Sequence, residues 1–111
     1  MTTQVLSHSE MIAFLNDEAR QDLSNYHLTE GVRANDKEDL MLLLNEVKNF
    51  NDFTEDNDPY GEHDFGSIQF KGEKYFFKID YYNKDLTYGS SNPADPSITR
   101  RVITVMLAEE Y

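Results

Sequence analysis

The stretch with the most chemistry per residue is Asp52-Phe53-Thr54-Glu55-Asp56-Asn57-Asp58-Pro59-Tyr60-Gly61-Glu62-His63-Asp64. It holds six carboxylates and one imidazole within 13 residues. Clustered oxygen ligands suit hard cations, and a histidine among them suits transition metals. Asp56, Asp58, Glu62, His63 and Asp64 are therefore the candidate metal ligands. The strongest form of that reading fails: an EF-hand loop starting at Asp56 places Tyr60 at its fifth position and Ser67 at its twelfth, where a polar ligand and a glutamate belong. There is no H-E-x-x-H motif, and no cofactor is expected.

Catalytic signals are weaker. His63, between Glu62 and Asp64, has the titration range of a general base. Neighbours on an extended chain point to opposite faces, however, so adjacency does not make them hydrogen-bond partners. Asp64, Asp80 and Lys78 have the residue types of a metal nuclease, in a combination that many chains offer by chance. No nucleophile elbow, phosphate loop or glycine-rich cradle occurs, and no catalytic residue is assigned. The plainer role for the acidic stretch is a solvated turn, because Asp and Asn side chains bond nearby backbone. A third role is protein recognition through Asp52, Glu55, Asp56, Asp58, Glu62 and Asp64, with Tyr60 and Tyr82 adding interface area behind a polar tip.

These residues sit in a chain of 111 residues with net charge −11, from 21 acids and 10 bases. One domain, 1–111, is the economical reading. The charge is uneven: residues 1–60 carry 13 acids and 4 bases, and residues 61–111 carry 8 and 6. Phosphate binding needs Lys and Arg to release counterions, so direct nucleic-acid binding and adhesion to an anionic membrane are not expected. There is no cysteine, which excludes disulfides and thiolate metal sites. No apolar run is longer than Leu40–Leu44, far short of a membrane span. Met1–Val5 lacks the basic and apolar regions of a secretory leader, and a cytoplasmic location is expected.

The elements that must position the acidic stretch follow from periodicity. Ser7-His8-Ser9-Glu10 has the form of a capping box. Ile12, Leu15, Ala19 and Leu23 then share one face of a helix over about 8–24, leaving Glu18, Arg20 and Asp22 toward water. His27 to Val32 reads as a short strand or a loop. Leu40, Leu43, Leu44, Val47 and Phe50 mark a second helix at about 36–50. Asp58-Pro59-Tyr60-Gly61 has type I turn chemistry. Residues 64–71 and Tyr75, Phe77, Ile79 and Tyr81 predict two strands joined at Lys71-Gly72. Tyr88 to Pro96 reads as a loop. The β-branched residues of Arg101–Leu107 favour a strand over a helix capped at Asp95-Pro96. The expected fold is α+β, with two N-terminal helices packed on a small antiparallel sheet made of a hairpin at about 64–82 and a C-terminal strand at about 100–108.

The segment Asp52 to Gly66 resembles the signature of a domain-of-unknown-function family of short bacterial proteins. So do Lys78-Ile79-Asp80-Tyr81-Tyr82, Gly89-Ser90, Pro93-Ala94-Asp95-Pro96 and Arg101–Ala108, and, nearer the N-terminus, Leu15-Asn16-Asp17 and Leu28-Thr29-Glu30-Gly31-Val32. Ala19 departs from the bulkier aromatic expected there. The resemblance implies a proteobacterial protein often carried by phages and plasmids, and it implies no reaction. With the charge, that context leads to the expectation of a DNA-mimicking inhibitor of a host defence complex, of the anti-CRISPR or anti-restriction kind. Its partner would be a basic host protein or ribonucleoprotein held by electrostatic complementarity, with a homodimer also open. The competing expectations are a metal-dependent enzyme built on His63 and its carboxylates, and a non-catalytic accessory protein.

Overall fold

The computed structural model describes residues 5–111; the reading of Met1–Val5 as free of a leader lies, but for Val5, outside the described residues. Helix α1 spans His8–Ala19, and its capping box is formed: Ser7 Oγ accepts from the Glu10 N–H, and the Glu10 carboxylate accepts from the Ser7 N–H. The helix ends about five residues before the predicted boundary. Asp22 caps a separate turn of 3-10 helix at Leu23–Asn25 instead, and Asn25 Nδ2 donates to the Ala19 carbonyl. A short strand β1 follows at Tyr26–Leu28, then a single helical turn α2 at Glu30–Arg33. Helix α3 runs Lys37–Asn49, with the Asp36 carboxylate accepting from the Asp39 N–H.

The hairpin consists of β2 (Phe65–Phe70) and β3 (Glu73–Tyr82). Lys71 and Gly72 both have positive φ, 50° and 81°, as a two-residue turn matching strand twist requires. Strand β4 is Arg100–Leu107, which decides for the strand at the C-terminus. The fold is α+β as expected, but the sheet is mixed and four-stranded, in the order β1-β4-β3-β2. The correction comes from β1, which pairs parallel to β4 in the register Tyr26↔Ile103 to Leu28↔Val105. Three residues are too few to show alternation, and the partner lies more than seventy residues downstream, so neither pairing nor direction has a local signature. There are also three helices where two are expected.

All three helices cover one face of the sheet. Leu43, Leu44 and Val47 of α3 and Val32 of α2 pack with Ile68, Tyr75, Phe77, Ile79, Ile103 and Val105. Leu23, predicted on the buried stripe, is exposed. Beyond β4, Glu110 returns to α2: its carboxylate accepts from Thr29 Oγ1 and the N–H groups of Gly31 and Leu107, at 2.7, 3.0 and 2.8 Å. Gly66 is required by packing, because a Cβ there would collide with the rings of Phe77 and Phe50. Gly66→Ala is expected to lower unfolding stability by about 1–3 kcal/mol through overpacking. Gly89→Ala, whose Cβ would meet only ordinary contacts, is expected to be near neutral. Urea unfolding of both variants checks the contrast.

Candidate functional site

The acidic stretch forms the loop between α3 and β2, and its own polar residues shape it. Asn57 Oδ1 accepts from the Thr54 N–H at 2.8 Å, and Asn57 Nδ2 donates to the Asp52 carbonyl at 2.8 Å. The predicted turn at Asp58-Pro59-Tyr60-Gly61 closes with the Gly61 N–H on the Asp58 carbonyl at 3.1 Å. Asp58 is only 7% exposed. Its carboxylate accepts from the backbone N–H groups of Glu62, at 2.9 Å, and His63, at 3.2 Å. Asp58, expected among the partner-binding residues and candidate metal ligands, thus uses its carboxylate to hold the backbone that follows it.

His63 has a left-handed backbone, φ 58°. Its ring stacks on Phe53 at 4.1 Å and 2° from parallel. Nδ1–H donates to Asp17 at 2.9 Å, because an ionised carboxylate can only accept, and Nε2 lies 3.9 Å from Asp58. Asp17 also accepts from Arg20 Nη2 at 2.8 Å. Arg20 was expected in water and is instead 3% exposed. Its Nη1 donates to the carbonyls of Val47 and Phe50, at 2.7 and 2.9 Å, and its guanidinium lies over the rings of Phe53 and Phe77. It thus ties the end of α1 to the end of α3 and the start of the loop.

A second anchor holds the loop's far end. Asn16 is fully buried. Its Nδ2 donates to the Glu62 carbonyl at 2.9 Å and to Tyr81 Oη at 2.8 Å, and its Oδ1 accepts from Arg101 Nε at 2.6 Å. Arg101 also donates to the Pro93 carbonyl and lies over the Tyr81 ring. Burial pushes the Tyr81 hydroxyl well above the usual phenol range and lowers the Arg101 guanidinium. Sequence reasoning missed Asn16, Asp17, Arg20, Tyr81 and Arg101 as parts of this site. The available signals were positional: Asn16 falls on the Ile12–Ala19 stripe, and Arg101 shares the parity of Ile103 and Val105.

Asp52, Glu55, Asp56 and Tyr60 are exposed, Tyr60 at 78%. Among the described residues, no ion pair or side-chain hydrogen bond engages the carboxylates of Asp52, Glu55 or Asp56. The Lys and Arg ion pairs go elsewhere, Arg20 to Asp17, Lys71 to Asp39 and Lys78 to Asp80. Glu62 and Asp64 are half-buried. Tyr82 is not brought to the loop; by strand alternation it shares the helix-free face with Lys78 and Asp80, opposite Arg100. Asp56, Asp58, Glu62, His63 and Asp64 are not gathered either: among the described residues, no three His, Asp or Glu side chains are grouped to hold a metal ion.

A family model described as "Protein of unknown function (DUF3768)" matches residues 28–110. The chain belongs to this family. No curated protein and no solved structure matches it. The matched span of the DUF3768 chain contains the whole acidic loop and the sheet from Leu28 onward, while Asn16, Asp17 and Arg20 lie ahead of it on α1. No helix among the described residues is long and apolar enough to cross a membrane.

Electrostatics distinguish the loop's two halves. Burial, reinforced by Asp64 and Asp58, raises the proton affinity of Glu62. Burial also raises that of Asp64, with Asp58 and Asp80 adding to it. A carboxyl that holds its proton more tightly when folded binds more protons in the native than in the unfolded state between the two titrations. Stability therefore falls as pH rises through that window, and the ionised form is destabilising above it. Asp64→Asn is expected to raise the melting temperature near neutral pH, with the gain vanishing at acidic pH where the carboxyl is protonated in both states. Thermal melts of the two proteins across pH test this, and a gain constant with pH would refute the electrostatic cause.

Proposed function

We propose that this DUF3768 chain is a protein-binding module that docks its acidic loop on a basic surface, and that its targets are nucleic-acid-handling complexes such as those of host defence. One observation carries the reading. Asp52, Glu55 and Asp56 are exposed and, among the described residues, pair with no cation, beside the exposed Tyr60, on a loop braced by Asp58, His63 and Asn57. Bracing reduces the ordering cost of association. Unpaired carboxylates steer a basic partner at long range, and an exposed tyrosine beside them is a common energetic anchor. The chain's charge of −11 adds to the attraction. A basic nucleic-acid groove is the natural complement, and occupying it would block nucleic-acid entry. The resemblance to phage- and plasmid-borne proteins supports that class of target.

Asp58 is excluded from the contact set by its internal bonds, so the test uses Asp52→Lys, Glu55→Lys and Asp56→Lys together. Wild type and the triple variant are immobilised and exposed to bacterial lysate, and the retained proteins are identified and assayed for nucleic-acid binding. The expected outcome is a basic, nucleic-acid-binding partner that wild type retains and competes off its nucleic acid. The triple variant should lose that partner, and retention should fall with added salt. Equal retention by the triple variant would remove the loop from the interface.

A further inference from the structure

Strand β2 ends the sheet, and its outer edge is open. The Ile79 N–H donates to the Asp64 carbonyl at 2.9 Å. Antiparallel hydrogen-bonded pairs alternate, so Asp64, Gly66, Ile68 and Phe70 face β3, and Phe65, Ser67 and Gln69 direct their N–H and C=O groups outward. Among the described residues, none of those six groups meets a hydrogen-bonding partner. The devices that normally blunt an edge are missing. Phe65-Gly66-Ser67-Ile68-Gln69-Phe70 contains no charge and no proline, and its register with β3 runs one-to-one without a bulge. The other edge, β1, is only three residues long.

We propose that β2 pairs antiparallel with β2 of a second copy of the chain, joining the two sheets across a two-fold axis. The segment pairs most fully with its own copy in the register centred on Ser67. With Ser67 opposite the partner's Ser67, Phe65 faces Gln69 and Gly66 faces Ile68. All three outward residues of each copy then exchange both backbone hydrogen bonds. Residues opposite each other have the same parity, so helix-covered faces align with each other and open faces do likewise. A shift of one residue would set inner side chains against outer ones. The interface is isologous and uses up the one long edge, so association stops at the dimer.

The interface is small and each copy carries −11, so association is expected in the range of about 10–100 µM. It should strengthen with salt, because screening weakens the repulsion between copies. The opposite salt dependence, and the absence of Asp52, Glu55 and Asp56 from this edge, separate it from docking through the loop.

Sedimentation equilibrium of the full chain between about 10 µM and about 1 mM, in low salt and in about 0.5 M NaCl, tests the proposal. Two variants accompany it. Ser67→Lys sets like charges directly opposite each other, and Ser67→Pro removes an outward N–H that the monomer does not use. Ser67 is exposed, so Ser67→Lys leaves the monomer fold intact even if the proline variant does not fold. The expected result is a wild-type dimer favoured by salt, with Ser67→Lys weakening it about tenfold or more. A wild type that stays monomeric throughout would overturn the proposal, and so would a dimer that Ser67→Lys leaves unchanged.

Discussion

Asn16 is a polar side chain with no access to water, and it holds three separate parts of the chain at once. Its amide nitrogen takes the carbonyl that ends the acidic loop and the hydroxyl of a β3 tyrosine. Its oxygen takes the guanidinium of β4. A buried amide left without partners costs about 1–3 kcal/mol, so the side chain specifies where α1 must lie relative to loop and sheet. Arg20, one turn further along the helix, repeats the device toward the other end of the loop through Val47, Phe50 and Asp17. Together they explain how a loop with so many like charges keeps one shape. Its ends are fixed by neutral and cationic groups under it, and the exposed carboxylates need only point away.

That arrangement also marks where sequence reading stops. Local rules place the capping box at Ser7, the helix from Asp36, the Lys71-Gly72 turn and the alternation of β3, because each depends on neighbours within a few residues. The turn at Asp58 is legible for the same reason. The parallel partner of Tyr26–Leu28 is not, since three residues carry no usable period and the partner is distant in the chain. The burial of Arg20 reads wrongly for a different cause: a charged residue off the apolar stripe normally faces water, and only the tertiary structure supplies the carbonyls, carboxylate and ring faces that its Nη groups and guanidinium plane meet, leaving Nε without a partner. The candidate site was therefore half-visible. Its exposed acids are written in the loop, and its supports are scattered over α1, β3 and β4.

The same separation organises the surface. The loop is densely charged up to Asp64, and the next six residues, Phe65–Phe70, carry no charge at all. Two surfaces of opposite physical character thus adjoin at one point of the chain. On the readings proposed above, the charged loop keeps copies apart in dilute, low-salt solution and attracts a basic protein. On the same readings, the neutral edge with unused backbone groups accepts a strand once that repulsion is screened. The net charge of −11 acts here as the edge's protection, a substitute for the lysines and prolines that other edges carry.

The raised proton affinities of Glu62 and Asp64 bear on the same balance. Burial and neighbouring carboxylates disfavour the ionised form of both groups in the folded chain. A neutral Asn or Gln would fill nearly the same space without the repulsion. A cationic surface brought against the loop would reverse the sign, because each positive charge placed nearby turns repulsion in the free protein into attraction in the complex. On the reading proposed above, this unfavourable charge adds to that of the exposed Asp52, Glu55 and Asp56: the stability forgone in the free protein returns as differential affinity for a basic surface over a neutral one.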